Sequence, residues 1–584
     1  MAHREDSMAD VERIRVREKM GGEEVEVIYR RSPALDAPKE TPIHGVGFYP
    51  PLNPRTYVED GIRVDQDVPV KVRDGTTLYL DLYRPDGPQG VADLPAIIAW
   101  GFYGKRAFDD PDKDWDVFGV EPGTVNKMMT KFEGPDPAYW CRHGYAVINI
   151  DSRGSGNSEG HLCVWGEQDG RDGADVIEWL ASQVWCNGKV GMLGNSGLAM
   201  SQWYIAAEQP PHLTCIAPWE GTADLYREFA SDNGIPGPGF NNFVMSIARG
   251  SGYIEDYMKM LEEHPLMDAY WESKIPKFAN IRIPTYMTGG WSHIHLRGAL
   301  NAFRGVRTPK KWLRLHRDFE WPDLYEPSNQ EDIKRFFDRY LKGVRNGWEM
   351  TPRVRIDVMD AYDYDYQVHR PEKAFPLERT EYKTLYLDAS MNALSPEPAR
   401  KDSKASYDAS EGMAVFDIRF DETTEITGYM KAHLWVEADG HDEMDLFLNV
   451  MKLDENSEWL PTMVLGEPHP GAWARLRVSQ RQLDPQLSTD FQPVQSHRIR
   501  EKLKPGEIVP VEIAFYPHSK IWHPGQQLRL RICGRYIREG WFEPFSWDTD
   551  NKGAHVIHTG GQHDSYLQVP VIPPKYQAGD YVYR

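Results

Sequence analysis

The chain has 584 residues, a formal net charge of −21 and 27% charged residues. This length predicts two to four domains, and the negative charge argues against a nucleic-acid partner, because phosphate binding needs a basic surface. The 5 cysteines are widely spaced, which predicts neither a disulfide framework nor a zinc site. No secretory signal or long apolar run is visible, so we expect a cytoplasmic protein without membrane contact.

The first part of the chain predicts an α/β domain. Residues 1–60 are polar and proline-rich and predict an N-terminal extension. Two alternating apolar runs then flank Asp74-Gly75, which is a strong hairpin signal. Apolar strands separated by helical patterns follow to residue 220, as expected of a mostly parallel sheet with helices on both faces. The predicted strands are 96–100, 145–151, 190–193 and 215–218, with an amphipathic helix over 172–183.

The pattern changes twice after residue 220. Residues 221–280 hold a Gly/Pro-rich stretch and helical segments, which predict a cap inserted between two strands of the sheet. The α/β pattern resumes over 281–375, so the predicted core has two parts, 61–220 and 281–375. Its predicted elements here are strands at 283–288 and 312–315 and a helix over 331–341. From 376 to 584, short alternating strands and turn residues predict an all-β sandwich.

One short segment carries the chemistry. An apolar strand over 190–193 passes through Gly194-Asn195-Ser196-Gly197 into a helical stretch. This is the layout of a nucleophile elbow, the strained strand-to-helix turn that exposes a serine hydroxyl. The flanking glycines have a physical reason, because so tight a turn leaves little room for a Cβ. The last position of the usual Gly-x-Ser-x-Gly pattern holds Leu198, so an ordinary loop serine is the alternative at this point.

Several motifs in a fixed order resemble the X-Pro dipeptidyl-peptidase-like serine hydrolases, the group of cocaine esterase, α-amino-acid ester hydrolases and glutaryl acylases. The motifs are an opening hairpin (73–85), an oxyanion segment (101–105), a Gly-rich loop (151–160), the approach to the elbow (185–196) and the end of the catalytic domain (336–343). The resemblance covers about residues 65–584. It implies an α/β-hydrolase domain with a helical cap and a C-terminal jelly roll, and in this family a leucine at the position of Leu198 is common.

The resemblance also implies partners for Ser196. A serine hydroxyl needs a base, usually a histidine oriented by a carboxylate, and the usual chain order is Ser, acid, His. In this family the acid follows a Gly-Trp-x-Asp-like segment, but residues 289–293 place His293 at that position. After the next strand, Glu320 stands where the histidine is expected. We therefore expect exchanged partners, with His293 as the base and Glu320 orienting it.

Other assignments stay open. His295 could be the base, and His316 is a second rival, with Asp318 or Asp323 as other acids. The His293-x-His295 pair could be part of a metal site, but the sequence shows no third ligand. We expect no metal and no cofactor. Because the usual acid and base are missing, a non-catalytic site is a further alternative.

The oxyanion hole needs two donors aimed at the developing negative charge. The first expected donor is the backbone N–H of Gly197, directly after the nucleophile. The second, implied by the resemblance, is the hydroxyl of Tyr103. Trp219 and Glu220 lie where the cap begins and are candidates for the substrate pocket, although Glu220 could attract a substrate amine or simply cap a helix.

Together these observations predict a serine hydrolase that cleaves a small-molecule ester or amide through an acyl-enzyme on Ser196. One alternative is an X-Pro dipeptidyl-peptidase-like peptidase, for which the sequence shows no acidic pair that would bind a free N-terminus. Another is a binding or scaffold protein of the same fold. The C-terminal sandwich could cover the site or mediate a homo-oligomer, and the natural substrate does not follow from the sequence.

Overall fold

The computed structural model describes residues 11–35, 49–90, 92–106, 118–120, 124–126, 129–537 and 546–574. Within these ranges the chain divides into two compact units. The first holds residues up to 230 together with 238–313 and 318–351, and the second holds 231–237, 314–317 and the chain from 352 onward. The main division therefore falls at 351/352, whereas the sequence pattern placed the sandwich boundary at 375/376. Of the predicted N-terminal extension, residues 1–10 and 36–48 lie outside the described ranges.

The first unit contains a large sheet and a small one. Its strands are β1 (Arg13–Met20), β2 (Glu23–Arg31), β3 (Arg55–Glu59), β4 (Ile62–Lys71), β5 (Thr77–Pro85), β6 (Leu94–Gly101), β7 (Ala146–Asp151), β8 (Cys186–Asn195), β9 (Leu213–Trp219), β10 (Tyr253–Glu255) and β11 (Thr285–Gly290), and β12 (Lys311–His316) begins in this unit.

Helices follow the strands of this unit as the sequence pattern predicts. They are α1 (Pro137–Arg142), α2 (Glu167–Ala181), α3 (Ser196–Ala207), α4 (Pro238–Ile247), α5 (Tyr257–Glu263), α6 (Ala269–Ser273), α7 (Leu296–Gly305), α8 (Glu320–Tyr325) and α9 (Pro327–Leu341). Among the described residues, no helix combines the length and the apolar character that a membrane crossing requires.

The strand order of the large sheet brings the carboxyl ends of its parallel strands to one edge. Its pairings run in the order β3, β4, β5, β7, β6, β8, β9 and β11. β4 and β5 form the predicted antiparallel hairpin, with Lys71 opposite Thr77. The pairs from β7 to β11 are all parallel, so the residues that follow β6, β8, β9 and β11 emerge at the same edge. In open α/β sheets this carboxyl edge is where ligands bind.

The segment between β9 and β11 corresponds to the predicted cap. It contains a π-helical turn at Tyr226–Ala230, the helices α4, α5 and α6, and the short strand β10. Asp256 and Asp268 start α5 and α6, because their carboxylates accept hydrogen bonds from the first backbone N–H groups of each helix. β10 pairs with β2 of the N-terminal β1–β2 hairpin. Part of the predicted extension therefore completes a small antiparallel sheet with this segment.

The second unit is all-β, as predicted. Its strands are β13 (Val354–Met359), β14 (Asp365–Glu372), β15 (Glu381–Asp388), β16 (Ala393–Ser395), β17 (Ser403–Asp408), β18 (Met413–Arg419), β19 (Thr424–Gly428), β20 (Lys431–Asp439), β21 (Asp445–Leu453), β22 (Thr462–Val464), β23 (Glu467–His469), β24 (Ala472–Arg477), β25 (Val509–Ala514), β26 (His518–Trp522), β27 (Gln527–Cys533), β28 (Ala554–Thr559) and β29 (Tyr566–Val571).

Two antiparallel groups build most of this second unit. One has the order β18, β27, β21 and β24, and the other has the order β17, β28, β20 and β25. Along β20, buried residues alternate with half-buried ones, which is the period-two pattern of a strand with one face in the core. One hydrophobic cluster contains residues of both groups, including Phe416, Leu434, Leu448 and Ile557.

Candidate active site

The turn between β8 and α3 has the backbone geometry of a nucleophile elbow. Ser196 is the first residue of α3 and has φ +50°, in the left-handed region that costs free energy for a residue with a Cβ. At Gly194, a Cβ would lie 2.6 Å from the Cβ of Leu198. The turn can therefore close only with glycine at this position. The strand, turn and helix predicted around Ser196 are all present.

Hydrogen bonds tie the elbow to three other segments. The Asn195 N–H donates to the carbonyl oxygen of Glu133 at 3.1 Å, and the Ser196 N–H donates to that of Glu220 at 2.9 Å. The Asn195 side-chain amide donates to the carbonyl oxygen of Glu320 at 2.5 Å. Each of these segments contributes a buried glutamate. The position of the nucleophile and the positions of three carboxyl groups are therefore set by the same turn.

The histidine in contact with Ser196 is His295. Its Nε2 lies 3.0 Å from Ser196 Oγ, and its Nδ1 lies 2.7 Å from Thr222 Oγ1. Burial lowers the pKa of His295 well below its ordinary value; the charge of His293 lowers it further, and Glu220 acts in the opposite direction. A neutral imidazole whose Nδ1–H donates to Thr222 has a free lone pair on Nε2 for the serine proton.

His293, the base expected from the sequence, has other partners. Its Nδ1 lies 3.2 Å from Glu220 Oε2 and its Nε2 lies 3.5 Å from Glu320 Oε1. The expected neighbours His293 and Glu320 do meet. Carboxylates lie near both ring nitrogens of His293, whereas the serine hydroxyl contacts His295, the alternative base.

The glutamates beside His293 lie in an environment that disfavours negative charge. Burial raises the pKa of Glu320 well above its ordinary value, and the charges of Glu133 and Glu220 raise it further. Burial likewise raises the pKa of Glu133 to about 8, against a hydrogen bond from the indole of Trp321. Charged carboxylates that are buried so close together repel one another. Glu133, Glu220 and Glu320 therefore favour a positive charge placed among them.

The two expected oxyanion donors lie side by side. A Cβ on Gly197 would come within 2.5 Å of the Tyr103 hydroxyl oxygen, so the tyrosine approaches this backbone closely. Burial raises the pKa of Tyr103 well above its ordinary value, against a hydrogen bond with Ser196 that lowers it, so the phenol keeps its proton. The Gly197 N–H belongs to the first turn of α3, where helical N–H groups have no partner within the helix. The indole of Trp165 holds the Gly197 carbonyl oxygen at 3.1 Å.

The remaining sequence candidates fall into different places. Trp219 ends β9, is 1% exposed, and its ring lies 5.4 Å from that of Tyr286. The Glu220 carboxylate lies beside the ring of His293. Asp323 accepts a hydrogen bond from Asn329 within the α8–α9 segment. His316 ends β12 and is grouped with the second unit.

Two residues of the site were not found from the sequence. Thr222 follows β9 by three residues and bonds the ring of His295, but no motif marks it. Glu133 lies outside all five sequence motifs of the family. Only its place in the folded chain brings its carbonyl oxygen to Asn195.

The sheet order, the positive φ of Ser196 and its contact with a histidine define an α/β-hydrolase with a serine at the elbow. Comparison with known proteins then places the chain more narrowly. The model of the X-Pro dipeptidyl-peptidase (S15 family) matches residues 74–245, and that of the X-Pro dipeptidyl-peptidase C-terminal non-catalytic domain matches residues 346–568.

Individual relatives agree with this placement. Cocaine esterase from Rhodococcus sp. (strain MB1 Bresler) is 24% identical over 88% of this chain and 100% of its own length. The crystal structure of a CocE/NonD family hydrolase from Staphylococcus aureus is 34% identical, covers 88% of this chain and 94% of that chain, and superposes with a TM-score of 0.80. An α-amino acid ester hydrolase shares the fold at 16% identity, over 89% of this chain and 99% of its own, with a TM-score of 0.62.

The chain therefore belongs to the X-Pro dipeptidyl-peptidase-like family, which includes the CocE/NonD hydrolases, and it is a serine hydrolase. These comparisons confirm the family, the fold class and the enzyme class that the sequence motifs indicate.

Proposed function

We propose that the protein hydrolyses a small-molecule carboxylic ester through an acyl-enzyme on Ser196, with His295 as the general base. The observation that carries the proposal is the 3.0 Å contact between Ser196 Oγ and His295 Nε2 at a residue held at positive φ. A nucleophile and a base within hydrogen-bond reach, with the base oriented by a third group, is the recurring arrangement of serine hydrolases.

In the first half of the reaction, Ser196 Oγ attacks the acyl carbon as its proton passes to His295 Nε2. The substrate oxygen that becomes negative accepts hydrogen bonds from the Gly197 N–H and the Tyr103 hydroxyl. His295 then gives its proton to the departing alkoxide or amine. Water repeats the sequence on the acyl-enzyme and restores the Ser196 hydroxyl.

A hydroxyl occupies the place beside the base that a carboxylate usually takes. Thr222 accepts from the Nδ1–H of His295 and fixes the tautomer with a free Nε2. Negative charge comes from Glu220, which favours the protonated form of His295. We propose that Thr222 orients the base and that Glu220 stabilises the imidazolium. His293, with Glu220 on one ring nitrogen and Glu320 on the other, holds these carboxyl groups in place.

An ester is the preferred substrate class because cocaine esterase matches along its whole length. Cleavage of X-Pro dipeptides is the second candidate, favoured by the names of the two matching family models. We also propose a cytoplasmic location, a jelly-roll topology for the second unit and the absence of a nucleic-acid partner. Sedimentation velocity of the purified chain measures its oligomeric state and so tests whether it forms a homo-oligomer.

The test uses one preparation of the full chain and three reagents. We expect hydrolysis of p-nitrophenyl acetate, little hydrolysis of Gly-Pro-p-nitroanilide, and labelling of Ser196 by a fluorophosphonate, read by peptide mass spectrometry. The Ser196→Ala variant should lose both hydrolysis and labelling. Ser182→Ala, at an exposed helix end, is the matched control and should retain both. Labelling at another residue, or full activity of Ser196→Ala, would contradict the proposal.

A further inference from the structure

The two histidines and Glu320 form a cluster that the proposed mechanism does not use as a unit. One ring nitrogen of His293, one of His295 and one carboxylate oxygen of Glu320 all lie within 4.8 Å of one another. Their exposed fractions are 6%, 1% and 3%. The sequence shows only the His-x-His pair after β11, and folding adds the third group from the start of α8.

The spacing of these atoms fits a small divalent metal ion. Zinc bonds to histidine nitrogen and carboxylate oxygen are about 2.0–2.2 Å long, so ligand atoms of a tetrahedral site lie about 3.3–3.6 Å apart. His293 Nε2 and Glu320 Oε1 are separated by 3.5 Å. A ring nitrogen of His295 lies within 4.8 Å of ligand atoms of both other residues. Two histidines and one glutamate leave a fourth position open.

The surroundings supply what such ligands need. A metal-binding histidine usually donates its other ring N–H to a carboxylate or another oxygen, which fixes the ring and the tautomer. The Nδ1 atom of His293 lies against Glu220, and that of His295 lies against Thr222. Both Nε2 atoms therefore remain as ligand atoms.

A second observation points to a missing ligand. Among the described residues, the buried Oε2 of Glu320 has no hydrogen-bond partner. A buried carboxylate oxygen without a partner is costly, and a bound cation would offset that cost.

We infer that His293, His295 and Glu320 form an inhibitory site for a divalent transition metal such as Zn²⁺. The metal takes the lone pair of His295 Nε2 that otherwise accepts the Ser196 proton, so the resting enzyme cannot activate its serine while the ion is bound. A chelator reverses the effect. Metal binding does not depend on the proposed function, whereas inhibition rests on His295 as the base.

The binding test uses chelator-treated full-length protein and Co²⁺ as a spectroscopic probe, with Zn²⁺ as its competitor. We expect one Co²⁺ per chain, with the visible absorption of a four- or five-coordinate ion, in the wild type and in Ser196→Ala. His293→Ala and Glu320→Gln should each weaken binding at least 100-fold, on the order of the upper loss measured for metal-site partners. His212→Ala, which removes a surface histidine paired with Glu178, is the matched control and should bind as the wild type does.

The inhibition test follows ester hydrolysis in the same preparations. Zn²⁺ should inhibit the wild type and His212→Ala, and a chelator should restore the rate. Mg²⁺ should have no effect, because it prefers an octahedral set of oxygen ligands. Thermal unfolding followed by circular dichroism checks that each variant is folded.

The binding test and the inhibition test distinguish failure of the metal site from failure of the proposed esterase reaction. Equal Co²⁺ binding by folded His293→Ala and Glu320→Gln, or no binding by the wild type, would overturn the metal site and leave the proposed esterase reaction intact. Binding without inhibition would overturn the inhibitory role and count against His295 as the base. If the metal-free wild type does not hydrolyse the ester, that result would instead contradict the proposed function.

Discussion

Replacing the two histidines one at a time distinguishes the base from its neighbour. In His295→Ala, the group 3.0 Å from Ser196 Oγ is lost. Proton transfer by a positioned side chain contributes roughly 10²–10⁴-fold, so kcat/KM should fall by that factor, or about 2.7–5.4 kcal/mol of transition-state stabilisation at 1.36 kcal/mol per tenfold. In His293→Ala, the base and its contact with Thr222 remain. We expect a loss of no more than about tenfold, the size of an indirect electrostatic effect.

The assay is the initial rate of p-nitrophenyl acetate hydrolysis, with fluorophosphonate labelling as an independent measure of serine reactivity. Both rates should fall together in His295→Ala, because both need an activated serine. The double variant Ser196→Ala/His295→Ala should be no slower than Ser196→Ala, since residues that act as a unit are non-additive. If His293→Ala loses as much as His295→Ala, or more, the assignment made from the 3.0 Å contact is refuted.

Three further predictions concern the surroundings of the base. Thr222→Val leaves the buried Nδ1–H of His295 without its acceptor, a cost of about 1–3 kcal/mol. In the ester assay kcat should therefore fall roughly 5- to 150-fold. Thr222→Ser keeps a hydroxyl at this position and should restore most of the lost kcat. Tyr103→Phe removes an oxyanion donor and should lower kcat about 10²–10³-fold with little change in KM; a change confined to KM would contradict this role. Because burial lowers the pKa of His295 well below its ordinary value of 6.5, kcat/KM in a pH series should stay level down to pH 6.5 and fall only at lower pH. In His293→Ala the fall should begin at higher pH, because the charge that helps to lower this pKa is gone.

The sheet and the elbow could be predicted because their signals are local. Continuous apolar runs marked β6, β7 and β8, and Asp74-Gly75 between two alternating runs marked the β4–β5 hairpin. The glycines around Ser196 had one physical explanation, a turn too tight for side chains. Since a parallel sheet brings its carboxyl ends to one edge, the order of strands already placed Ser196, His293 and Glu320 near one another.

The choice of base was beyond this kind of reasoning. His293 and His295 lie two residues apart in the short connection between β11 and α7, and an alignment of motifs places such a connection only to within a residue or two. His295 stands at the start of α7, where the backbone turns into the helix, and this turn directs its ring to Ser196. Thr222 was missed for a related reason, since a lone threonine after a strand has no motif until the ring that it contacts is in place.

His293 stands where the family usually has the aspartate of the triad, and the buried glutamates tied to the elbow are other sources of negative charge near the site. Backbone and amide hydrogen bonds from Asn195 and Ser196 hold the backbone of Glu133, Glu220 and Glu320, so the nucleophile's own turn ties together the segments of three buried glutamates. If all three were charged in so buried a place they would repel one another, and burial raises the pKa of Glu133 to about 8.

A negative charge on one of these glutamates is stabilised best when a neighbouring group becomes positively charged. In the proposed mechanism that happens when His295 takes the serine proton and becomes an imidazolium, the species that Glu220 favours. An electrostatic contribution of this kind acts in the transition state more than in the resting enzyme, which is the condition for raising kcat. The carboxylate function of a catalytic triad can therefore be supplied here through the field of Glu220, while the Thr222 hydroxyl supplies the orientation.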